Sequence, residues 1–174
     1  MRFPLIPAVV AIAAVGAVAT ATPAAAKTLT FTATLGGVAP PTMTGSVANG
    51  KAVIRVDTKS KRVSVELDIS GLTIDQLSDA LVANPKGPIH FHEYRSADDV
   101  ELALPLPFGP NYKATKTGFH VSMRDYDYAA GAALLNSGET FDEFVNALNA
   151  GRIILNVHTD KFPDGEISGK VMPK

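Results

Sequence analysis

Short runs of alternating apolar and polar residues, each ended by glycine, proline or a polar turn, constrain this chain more than any other sequence feature. Residues 28–35 show the pattern most clearly, with leucine, phenylalanine and alanine at every second position and threonines between them. An alternation of period two is typical of a β-strand with one buried face. Comparable runs occur at 52–56, 63–69 and 118–123. We therefore expect an all-β fold of many short strands, a sandwich or a barrel.

One segment shows a helical period instead. Its apolar residues recur at the spacing i, i+3, i+4 and i+7, which places them on one side of a helix. Thr140 and Glu143 match a capping box, and Gly151 suits the position just after a helix. The sequence predicts one peripheral helix over about 141–150, and an α+β sheet with this helix on one face is the alternative. The stripe that we expect to be buried consists of Phe141, Phe144, Val145 and Leu148.

The first 26 residues have the pattern of a secretory signal. Arg2 is the only charge before Lys27, and an apolar, alanine-rich run ends in three alanines at 24–26. Small residues at positions 24 and 26 fit the cleavage rule of such signals. We expect residues 1–26 to be removed on export, leaving 27–174 as one domain in the periplasm or outside the cell, free of the membrane. The alternative is that the uncharged run anchors the chain in a bilayer.

Composition excludes several kinds of site. The chain has no cysteine, so a disulfide, a thiolate zinc site and a cysteine nucleophile are all ruled out. A net charge of −1 argues against nucleic acid as a partner, because phosphate-binding surfaces are strongly basic. The sequence contains no phosphate loop, zinc-protease helix or nucleophile elbow. It therefore favours a non-catalytic module over an enzyme.

Four histidines are the residues best placed to bind a metal. His90 and His92 are two residues apart in an apolar run, so they project from one face of a strand while Glu93 projects from the other as a surface charge. His158 has the same outward phase in a later strand, and His120 lies between two apolar residues of another. Imidazole suits copper or zinc. We expect a metal site of His90, His92 and His158, with His120 as a fourth member; four unrelated surface histidines are the alternative.

Three motifs resemble those of the chordin-type domain, or CHRD domain. The first is the strand 89–92 with its two histidines, and the second is the helix followed by Gly151. The third and most specific joins the letters NVHT at 156–159 to FPDGEISG at 162–169. The resemblance covers nearly all of residues 27–174. It departs from the family pattern at Ser168, where arginine is usual.

The resemblance implies an exported, immunoglobulin-like domain with no catalytic residues to carry over. In animals such domains occur within secreted antagonists of growth factors, so the partner is an unidentified protein or glycan. The histidines are also similar, in residue type and order, to the copper site of copper/zinc superoxide dismutases. We therefore expect an immunoglobulin-like or superoxide-dismutase-like β-sandwich with one peripheral α-helix at about 141–150. A copper redox enzyme and a periplasmic metal carrier are the alternatives to a binding module.

Overall fold

The computed structural model of the chain describes residues 27–38 and 40–174, so the expected signal at 1–26 lies outside the described residues. Strands dominate this part of the chain. The strands are β1 (Thr28–Gly36), β2 (Asn49–Asp57), β3 (Arg62–Ser70), β4 (Ile89–Tyr94), β5 (Val100–Leu106), β6 (Tyr112–Ala114), β7 (Gly118–Asp127), β8 (Ile153–Val157), β9 (Ile167–Lys170) and β10 (Met172–Pro173). The helices are α1 (Asp79–Val82), α2 (Tyr128–Leu135) and α3 (Phe141–Asn149), with a 3-10 turn at Ile74–Gln76.

All these strands belong to one antiparallel sheet that curls around a single core. The strand order is β5-β4-β8-β9-β1-β2-β3-β7-β6, and β10 pairs with β1. In β2 and β3 the buried residues alternate with exposed or half-buried ones, as the period-two pattern predicts. Phenylalanines from strands far apart in the sheet, Phe31, Phe91 and Phe119, are fully buried together with Phe144 of α3. The prediction of an all-β fold is confirmed.

The hairpin of β2 and β3 shows how local chemistry sets the register. The Asp57 carboxylate accepts the backbone N–H groups of Lys59 and Ser60 at 2.8 and 2.9 Å. Lys61 then adopts a positive φ of 55°. The turn therefore closes with Asp57 opposite Arg62, and the apolar residues of both strands face the core.

α3 is the helix that the sequence predicts. Thr140 Oγ1 accepts the backbone N–H of Glu143 at 3.3 Å, and Glu143 Oε2 accepts the N–H of Thr140 at 2.8 Å. Gly151 follows the helix with a φ of +63°. Of the predicted stripe, Val145 is half-buried against the core. The other three residues are buried: Phe141, Phe144 and Leu148.

Two further helices add to the one that the sequence predicts. Asp127 caps the start of α2, where its carboxylate accepts the N–H of Ala130 at 3.0 Å, and Asn136 follows the helix in the left-handed conformation. Alanine and leucine occur on all sides of α2, so no apolar stripe marks it in the sequence. α1 is a single turn. In the described part of the chain, no helix combines the length and the apolar character that crossing a membrane requires.

Candidate metal site

Three of the four histidines meet on the outer face of the sheet, where β4 and β8 are antiparallel neighbours. His90 of β4 lies opposite Asn156 of β8, so His158 occupies the diagonal position on the same face. The ring centroid of His90 lies 4.7 Å from that of His92 and 4.4 Å from that of His158. One possible ligand atom from each ring lies within 4.8 Å of the other two. We call His90, His92 and His158 the histidine triad.

Two backbone carbonyls orient two of the three rings of the histidine triad. Nδ1 of His90 lies 3.1 Å from the Gly87 carbonyl, and Nδ1 of His158 lies 2.8 Å from the Pro163 carbonyl. Because a carbonyl can only accept, hydrogen bonding assigns the proton to Nδ1 and leaves a lone pair on Nε2 of each ring. In a histidine that binds a metal, one ring nitrogen likewise donates its N–H to a protein acceptor while the other binds the ion.

Two ring nitrogens of the histidine triad are buried without a hydrogen-bond partner in the described part of the chain. Nε2 of His92 and Nε2 of His158 make no hydrogen bond within the described residues. A buried polar atom without a partner costs about 1–3 kcal/mol. Such atoms are rare in native proteins, so two of them side by side on converging rings are the feature that best fits a shared ligand.

Burial also keeps these rings neutral, which is the form that binds metals. Removal from water, reinforced by the other imidazoles, lowers the pKa of His90 to about 3 and that of His92 to about 4. Burial likewise lowers the pKa of His158. The histidine triad is therefore uncharged at neutral pH.

A tight turn holds the Pro163 carbonyl against His158. Asn156, buried beneath the turn, donates its amide N–H to the Asp164 carbonyl at 3.4 Å. Gly165 has a φ of +116°, and a Cβ at this position would lie 2.7 Å from the Asn156 amide group. Only glycine fits there, because both the backbone conformation and the close approach exclude a side chain.

Glu166 fixes the other end of the same turn. Its carboxylate accepts the hydroxyl of Thr159 at 2.7 Å and that of Ser46 at 2.6 Å, and the group is buried. The motif at 156–159 thus supplies one histidine, and the motif at 162–169 supplies the carbonyl that orients it. Sequence reasoning missed these supporting residues, although their place in the two motifs was a signal that could have identified them.

His120 does not join the histidine triad. It lies on β7, and five strands separate β7 from β4 in the sheet. Its Nδ1 lies 2.7 Å from Asp68 Oδ1, and its Nε2 lies 3.0 Å from Glu66 Oε2. This corrects the expectation of a fourth ligand. The outward phase of a residue within its strand does not determine where that strand lies in the sheet.

Glu93 corrects a second expectation, because it is buried rather than a surface charge. Its side chain is 3% exposed and lies between Arg95, at 2.8 Å, and Arg152, at 2.9 Å. Glu93 pairs with the fully buried Ile153 of β8, so it lies on the core-facing side of β4. The Arg152 ion pair also ties β4 to the start of β8.

Comparison with known proteins gives one match. A family model described as CHRD domain matches residues 13–171, which include strands β1 to β9, the histidine triad and both carbonyls that orient it. No curated protein and no solved structure matches the chain.

Proposed function

The chain belongs to the CHRD domain family. On this premise we propose that it is an exported, non-catalytic module that binds one copper or zinc ion through His90, His92 and His158. Family membership supports a non-enzymatic module. The secretory pattern of residues 1–26 supports export, and the partner that the family resemblance implies is a protein or glycan.

The observation that carries the metal proposal is the convergence of three neutral imidazoles, two of which, His90 and His158, have their Nδ1 atoms held by backbone carbonyls. Copper and zinc both accept imidazole readily. Calcium and magnesium prefer oxygen ligands, and no carboxylate of the described residues belongs to the group. An ion here would link β4, the end of β8 and the turn at Pro163, so its first effect is to stabilise the folded domain.

The number of ligands supports a second candidate function. Structural zinc sites usually have four protein ligands, whereas reactive sites have three and keep one position open. The histidine triad supplies three. A copper redox enzyme or a periplasmic metal carrier would use such an open position. Superoxide dismutation and metal transfer to a chelator, both measured on the copper-loaded protein, separate these functions from a purely structural site.

Thermal unfolding with and without metal tests the proposal. Protein stripped with a chelator is melted alone, with zinc(II) and with copper(II). Free metal at one hundred times its dissociation constant should add about 2.7 kcal/mol of stability, because only the folded state presents the site. For a domain of this size, that corresponds to a rise in Tm of roughly 5–10 °C.

Two alanine variants provide the matched comparison. His92→Ala removes the least buried member of the histidine triad and should abolish most of the metal-dependent rise in Tm. His120→Ala removes a histidine whose two ring nitrogens already contact Glu66 and Asp68, and it should leave the metal-dependent rise in Tm unchanged. An unmoved Tm with both metals, or an equal rise in both variants, would show that the triad is not a metal site.

A further inference from the structure

A cavity lies on the outer face of the sheet, separate from the histidine triad. It has a volume of about 850 Å³ and extends over β1, β9 and β8. Thr32, Thr34, Ile154 and Lys170 contribute to its lining, and Tyr94 lies at the side that faces His92. Cavities of about 300–1,000 Å³ are typical of small-molecule sites. We call this space the outer cavity.

Four polar side chains of the outer cavity have no hydrogen-bond or ion-pair partner within the described residues. The Lys170 ammonium group is exposed and makes no ion pair within the described residues. The hydroxyl groups of Thr32, Thr34 and Tyr94 likewise make no hydrogen bond to the rest of the described chain. Burial raises the pKa of Tyr94, so its phenol keeps its proton.

Charge in the outer cavity has one sign. Among the residues that the structure describes, Lys170 and Arg152 line it, and no aspartate or glutamate does. Arg152 is already paired with Glu93, which leaves Lys170 as the cation available to a ligand. Apolar groups complete the wall, among them Pro41, Ile154 and the half-exposed Met172.

We propose that the outer cavity binds a small organic anion, with its carboxylate at Lys170 and its apolar body against Ile154 and Met172. An ammonium group and several free hydroxyls favour an acceptor with negative charge. The apolar wall favours a ligand that buries hydrocarbon as well. A neutral alcohol would leave the ammonium unpaired, and a cation would be repelled by it.

Calorimetric titration with decanoate tests this site on protein stripped of metal, so the result does not depend on the histidine triad. Decanoate should bind with one site per chain. Lys170→Met keeps the length of the side chain, removes its charge, and should weaken binding about fivefold, since the charge pair is partly exposed to solvent. Lys113→Met, at an exposed lysine on β6, is the matched control and should bind as the wild type does.

Two further measurements test where the ligand binds and which charge it must carry. Decanoate should shift the methyl resonance of Met172 and leave that of the buried Met123 in place. Decanol should bind more weakly than decanoate, and decyltrimethylammonium more weakly still. Equal affinity of Lys170→Met and wild type, equal binding of decanol and decanoate, or no binding of decanoate would overturn the proposal.

Discussion

Glu139 is a buried carboxyl group whose ionisation should destabilise the fold. Its side chain is 6% exposed, and Oε1 has no hydrogen-bond partner within the described residues. The Tyr128 hydroxyl lies 3.4 Å from Oε2. Burial, reinforced by the charge of Glu93, raises the pKa of Glu139 from its ordinary value of 4.5 to about 7. The folded protein therefore retains a proton that the unfolded chain releases.

The sign and size of the effect follow from these two pKa values. Between about pH 4.5 and pH 7 the folded state binds the proton and the unfolded state does not, so stability falls as pH rises through this window. The shift corresponds to about 3 kcal/mol. Solvent in the adjoining cavity, which Glu139 helps to line, screens the group and reduces the expected loss to about 2 kcal/mol.

Urea unfolding of the wild type and of Glu139→Gln at pH 4.5, 6 and 8 measures this loss. All other titratable groups are the same in both proteins, so their contribution cancels in the difference between the two free energies of unfolding. From pH 4.5 to pH 8 the glutamine variant should gain about 2 kcal/mol relative to the wild type. A difference that stays constant across this range would refute the idea that Glu139 is protonated in the folded state.

Three other outcomes are expected. Phe144→Ala should lower the free energy of unfolding by about 3–5 kcal/mol, because Phe144 is fully buried. Val145→Ala, at a half-buried site, should lower it by about 1 kcal/mol. A loss under about 1 kcal/mol for Phe144→Ala would show that this face of the helix is exposed. Gly87→Ala should weaken zinc binding by about tenfold in a chelator competition, because its Cβ would collide with the Leu106 carbonyl and displace the Gly87 carbonyl that orients His90. Unchanged affinity would argue against that role. Mass spectrometry of exported protein should find Lys27 at the amino end, and an intact chain would contradict cleavage.

Sequence patterns predicted which side chains share a face, but not which strands are neighbours. The spacing of His90 and His92 places them together in any strand, and this part of the site needed no structure. His158 and His120 have the same outward phase, yet only His158 comes directly after a strand that neighbours β4. Strand order depends on long-range pairing, which the local alternation of residues does not encode.

The charged residues show a second limit. Glu93 and Glu139 have nothing in their local sequence that marks them as buried, and their burial depends on groups distant in the chain. For Glu93 the decisive partner is Arg152, which β8 brings alongside β4. α3, in contrast, was predicted correctly because its caps and apolar stripe lie within one short segment.

X-ray absorption spectroscopy of the metal-loaded protein tests the metal proposal most directly. At one equivalent of zinc or copper, we predict three imidazole nitrogens about 2.0–2.1 Å from the ion. His92→Ala should lower the imidazole count by one, and His120→Ala should leave the spectrum unchanged. A spectrum dominated by oxygen ligands, or the same spectrum from His92→Ala as from the wild type, would contradict the proposal that the histidine triad binds the metal.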